Sequence, residues 1–138
     1  MTLRDLLLPN PPRRLRGARA WNVAARTVHL AATGTLLGGH VFGAAAADLL
    51  PWLWVAAVSG SALLAIEVYG SLDWLLQVGG LSVVLKVALL CVIPFAWDSR
   101  VPLLFAVVAI AGVGSHMPGR FRHYSLLYRR SVRSGQNP

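Results

Sequence analysis

Charge is scarce in this chain. Only 13% of its 138 residues are Asp, Glu, Lys or Arg, against about 25% in an average soluble domain. A water-solvated globular surface is hard to build from so little charge, and no length is left for a second soluble domain. Acidic residues number five, with no pair placed for general acid–base work. Cysteine is represented by Cys91 alone, inside an apolar run, which excludes a disulfide framework or a thiolate metal cluster within one chain. There is no Met-x-x-Met or Cys-x-x-Cys run, no Gly-rich phosphate loop and no nucleophile elbow. Internal repeats and low-complexity segments are absent too.

What remains is apolar. Hydrophobic residues make up 56% of the chain and the mean hydropathy is +0.59. Four apolar segments stand out: about Thr27 to Ala47, Trp52 to Tyr69, Trp74 to Trp97, and Val101 to about His116. Each is close to the roughly 17–25 residues needed to cross a bilayer. Short polar or Pro/Gly-containing breaks separate them, around Asp48 and Pro51, Gly70 to Asp73, and Asp98 to Pro102, while Pro118-Gly119 closes the last. The first segment also has the basic flank and Ala45-Ala46-Ala47 end of a signal peptide. It is, however, longer than the roughly 7–15 residues of a signal core and carries histidines and glycines, so it reads as a retained helix.

The net charge of +8 is unevenly spread: eleven of the thirteen basic residues precede Thr27 or follow Pro118. Basic flanks of this kind mark the cytoplasmic side of membrane helices beside anionic headgroups, not a nucleic-acid surface. The expected architecture is therefore all-α, an integral membrane antiparallel bundle of four transmembrane helices. Residues 1–26 form a basic cytoplasmic N-terminal segment, 27–117 the transmembrane domain and 118–138 a basic cytoplasmic tail. The expected location is a bacterial-type inner membrane.

The chemistry concentrates in TVHLAATGTLLGGHVFG, Thr27 to Gly43. His29 and His40 are eleven residues apart, so a helix puts both on one face, roughly 16 Å apart along the axis. Gly34, Gly38 and Gly39 leave room beside them. A histidine within a bilayer is costly and points to function. Counting depth from the segment ends, His29 shares a cytoplasmic-side layer with Glu67 and His116, and His40 shares a deeper layer with Lys86. Two imidazoles on facing helices can bind a haem iron axially. The expected ligands are His29 and His116, with Glu67 as an acceptor orienting a ligand ring and Lys86 and Arg120 as propionate partners. The plainer reading puts His29 and His116 at the interface with water, and Lys86 snorkelling or bonded to carbonyls. Copper is the competing metal, since His29, His40, Cys91, His116 and Met117 have suitable softness. A third reading is a structural subunit of a larger membrane complex. Expected partners are anionic lipids and other membrane redox subunits.

The runs SGSALLAIEVYG and GGLSVVLKVALLCVIPFAWDSR resemble the copper resistance D family, in which a small-residue helix precedes a helix bearing one central lysine, here Lys86. VHLAATGTLLGG followed by LKVALL is similar to the four-helix membrane protoporphyrinogen oxidase family. That resemblance implies haem b, with His29 on the family's first-helix histidine and Lys86 on its third-helix lysine. It spans about Thr27 to Arg100.

Overall fold

A computed structural model describes Pro9, Arg13, residues 16–118, Phe121, Tyr124–Ser125 and Arg130–Ser131. Four helices follow one another: α1 (Ala18–Val41), α2 (Ala46–Gly70), α3 (Val78–Val92) and α4 (Arg100–His116). A 3₁₀ segment, Leu72–Leu76, joins α2 to α3, and two more, Ile93–Phe95 and Trp97–Ser99, join α3 to α4. Beyond α4, Tyr124–Ser125 (β1) pairs antiparallel with Arg130–Ser131 (β2), Tyr124 opposite Ser131. The remaining regular structure of the described residues is helical.

The helix ends follow from glycine and proline. Gly17, with φ of 74°, precedes α1. Gly43, with φ of 68°, closes it: the Ala44 N–H donates to the Gly39 carbonyl at 2.8 Å, the six-to-one bond of a Schellman turn that glycine permits. Pro94 lacks the N–H that would continue α3, so the chain tightens there into 3₁₀. Pro102 sits in the first turn of α4, where its missing N–H costs nothing. Met117, just before Pro118, is extended, as a residue preceding proline tends to be.

The first helix differs from its sequence expectation. It begins at Ala18 rather than Thr27 and ends at Val41 rather than Ala47. Ala18, Arg19 and Ala20 are strong helix formers, so the helix continues through the basic run. Arg19 and Arg26 lie on its exposed side. Ala46 and Ala47 instead open α2, which starts six residues ahead of Trp52.

Packing produces two antiparallel hairpins. α1 packs most extensively on α2, α3 packs on α4, and α1 touches α4, while α2 and α3 meet mainly through the intervening turn. Small residues make the first hairpin close: Ala32, Ala56 and Ser59 are buried. A Cβ on Gly39 would run into the Leu49 side chain. Outward, the helices present large apolar side chains such as Leu30, Val58, Val84 and Val108. Water penalises such a surface, whereas lipid does not. Three stretches, Ala46–Gly70, Val78–Phe95 and Trp97–His116, are long and apolar enough to cross a membrane. α1 has 24 residues, about 36 Å of helix, but is more polar, carrying Arg19, Asn22, Arg26 and His29.

Both ends of the described chain gather at one end of the hairpins. The Arg13 N–H donates to the Gly70 carbonyl at 3.0 Å, its guanidinium lies 5.9 Å from the Tyr69 ring centroid, and β1 touches the Leu72–Leu76 segment.

Gly80, the buried residue of α3, has backbone against it. A Cβ there would collide with the Trp74 carbonyl oxygen and lie 2.7 Å from Leu75 Cα. Neither backbone atom can rotate away, so Gly80→Ala is expected to destabilise by about 1–3 kcal/mol. Gly112→Ala, with nothing within 4 Å of its added Cβ, should be neutral or mildly stabilising, as alanine favours helix. Thermal unfolding of the two variants in detergent reads the contrast. Equal melting temperatures would mean that the turn does not press on Gly80.

Candidate functional site

His29 is the twelfth residue of α1 and faces the middle of α2. Its Nδ1 lies 3.0 Å from the Ala56 carbonyl oxygen and 3.1 Å from Ser59 Oγ. A carbonyl only accepts, so Nδ1 carries a proton and donates. Ser59 Oγ sends its own hydrogen to the Val55 carbonyl at 2.6 Å and so is free to accept from His29. In the neutral ring this fixes the proton on Nδ1 and leaves the lone pair on Nε2, the tautomer a metal-binding histidine uses.

Gly60 completes the cradle. Its missing side chain admits the imidazole: a Cβ there would stand 3.0 Å from His29 Cε1 and 3.3 Å from Nδ1. One polar layer thus draws on α1 (His29) and α2 (Ala56, Ser59, Gly60), between helices that are otherwise mostly apolar. Lys86 lies in the middle of α3.

The depths differ from those counted along the sequence. Because α1 starts nine residues early, His29 is at the middle of the helix instead of its margin. His40 lies in the last turn of α1 and meets Trp97 edge-to-face, with ring centroids 5.7 Å apart and planes at 82°. That contact aligns the end of α1 with the start of α4. From there His29 lies roughly 16 Å down α1, and His116, nineteen residues past Trp97, roughly 28 Å on at the helical rise. The two are therefore offset by about 12 Å along the axis. They do sit on helices that touch.

His116 closes α4. Its Nδ1 lies 2.9 Å from the Gly112 carbonyl of its own helix and the residue is exposed. The same reasoning leaves its lone pair on Nε2, whereas among the described residues His40 makes no such bond to a carbonyl. Glu67 is only part-exposed and eight residues past Ser59, about 12 Å along α2. The orienting role expected of Glu67 is filled at His29 by Ala56 and Ser59, and at His116 by Gly112. Arg120 lies outside the described residues.

Ser59 is not singled out by the sequence, where it only opens the small-residue run SGSALLAIEVYG. The signal that could have singled it out is its place one residue before the glycine that admits the ring. For copper, no group of three or more His, Cys, Asp or Glu side chains able to hold a metal ion occurs among the described residues, and Cys91 is exposed. No family model, curated protein or solved structure matches this chain.

Proposed function

We propose that this chain is a four-helix integral membrane protein that binds haem b for electron transfer or porphyrin redox chemistry. The observation that supports this most is His29, tied at Nδ1 to the Ala56 carbonyl and Ser59 and therefore presenting a bare Nε2. The donor set fits a haem: one neutral imidazole in mid-helix, a second at His116 on a touching helix, and the Lys86 ammonium to offset a carboxylate. Bound there, a haem would supply one-electron oxidation and reduction. The chain's own groups do the rest. Ala56 and Ser59 keep the His29 proton on Nδ1, and Gly60 gives the ring its seat. The absorbance spectrum of the purified protein tests this reading. A Soret band that shifts and sharpens on reduction supports it, and a protein purified without bound haem from haem-replete cells refutes it.

In this reading α1 is the fourth span. Trp21 and Phe42, at its two ends, are 21 residues or about 31 Å apart, close to the thickness of the hydrocarbon core. Both are well exposed, as interfacial aromatics are. Both chain ends lie on the cytoplasmic side of a bacterial-type inner membrane, where the basic flanks meet anionic lipid. Reporter fusions at Ser134 and in the 42–45 turn are expected to report opposite sides. Fusions on the same side would mean that α1 does not cross.

A further inference from the structure

At the end of the hairpins away from the chain termini, α1 finishes beside the start of α4. Trp97 stands between two basic side chains there. His40 meets its ring edge-on, and the Arg100 guanidinium lies 5.0 Å from its centroid. One guanidinium nitrogen donates to the Trp97 carbonyl at 3.1 Å. The guanidinium carries five N–H groups in a fixed fork, so most of its donors remain available. Arg100 makes no salt bridge with a carboxylate among the described residues. Asp98, exposed in the same turn, forms no salt bridge with it, and the guanidinium and the imidazole beside one aromatic ring offer N–H donors that suit phosphate oxygens.

The surroundings identify the source of that anion. Phe42, two residues past His40, is 88% exposed, and Phe95, two residues before Trp97, is 91% exposed. Such side chains are at home against acyl chains, whereas Trp and Arg belong at headgroup depth. A phosphate reaching this cluster would therefore arrive on a lipid.

We propose that Arg100, with His40 and Trp97, binds the phosphate of one anionic phospholipid at the membrane surface opposite the chain ends. Arg100 clamps the phosphate oxygens, Trp97 holds the guanidinium in place by stacking, and His40 adds a second donor. This site is independent of the His29 layer and stands whether or not haem is bound there.

Native mass spectrometry of the full-length protein, released from micelles containing phosphatidylglycerol, provides the test. Wild type is expected to retain one more lipid molecule than Arg100→Gln, and Arg100→Lys should fall between them because an ammonium lacks the fork. His40→Asn should weaken retention several-fold without abolishing it. Equal lipid counts in wild type and Arg100→Gln, with both variants monodisperse and equally helical, would overturn the proposal. Phosphatidylcholine, whose phosphate is balanced by its own cation, should be retained at least tenfold less well. Equal retention of the two lipids, or displacement of phosphatidylglycerol by millimolar inorganic phosphate, would also count against a dedicated anionic-lipid site.

Discussion

His29→Ala is expected to strip haem from the protein, His116→Ala to leave haem bound but convert it from low to high spin, and His40→Ala to leave the spectrum as it was. The reasoning is geometric. His29 is the imidazole built into the packing: its Nδ1 proton is committed to the Ala56 carbonyl and Ser59, its ring seats on Gly60, and it lies at mid-helix. Removing it deletes the one ligand whose orientation is fixed by a neighbouring helix. His116 is exposed and bonded only within its own helix. Losing it opens a coordination position and leaves the other ligand in place. His40 packs on Trp97 roughly 16 Å from His29, too far to share one porphyrin with it in this arrangement. Reduced-minus-oxidised spectra of the three variants, normalised to protein, separate the cases. Haem retained in His29→Ala, or lost in His40→Ala alone, would reverse the assignment.

The legible parts of this molecule are those that proline, glycine and long apolar runs control. The fourth segment was placed within a residue of α4 because Pro102 and Pro118 bracket it. The break after Tyr69 follows from Gly70 and the polar residues behind it. The first helix was harder. Its basic N-terminal half resembles a flank by composition, yet alanine and arginine carry helix as readily as leucine does, and nothing before Gly17 stops it. That shift of nine residues moved His29 from the margin of the helix to its middle and changed which residues share its layer. Depth counted from segment ends inherits every error in those ends, and His29, counted with Glu67, instead bonds the Ala56 carbonyl and Ser59. Ser59 and the Ala56 carbonyl were harder still. A backbone carbonyl leaves no mark in a sequence, and a serine among glycines and alanines reads first as a packing residue. The contact between His40 and Trp97 depends on how two hairpins meet, and no local pattern encodes that.

The α2 cradle should control the site almost as strongly as the histidine it holds. With Gly60→Ala, the new Cβ would stand 3.0 Å from His29 Cε1, so the ring must give by a few tenths of an ångström. It cannot do so freely, because retreat from α2 stretches the 3.0 Å bond to Ala56. α1 is itself held against α2 by the close approach of Gly39 to Leu49. Alanine is therefore expected to loosen the ring. Valine, with two further methyl groups, should expel it at a cost of about 1–3 kcal/mol for overpacking. Haem occupancy should fall modestly in Gly60→Ala and about tenfold or more in Gly60→Val, about 1.4 kcal/mol of binding free energy. The melting temperature of the detergent-solubilised protein should fall in the same order. Ser59→Ala provides the contrast. It removes one acceptor of the Nδ1 proton but leaves the Ala56 carbonyl, so the tautomer holds and occupancy should stay near wild type while the midpoint potential moves, since a less strongly bonded Nδ1–H makes Nε2 a poorer donor. Haem stoichiometry, redox titration and melting temperature together distinguish the outcomes. A Gly60→Val protein that melts and binds haem like wild type would mean that the His29 ring does not rest on α2. A lower melting temperature in a protein that never carries haem would support the cradle and reject the cofactor.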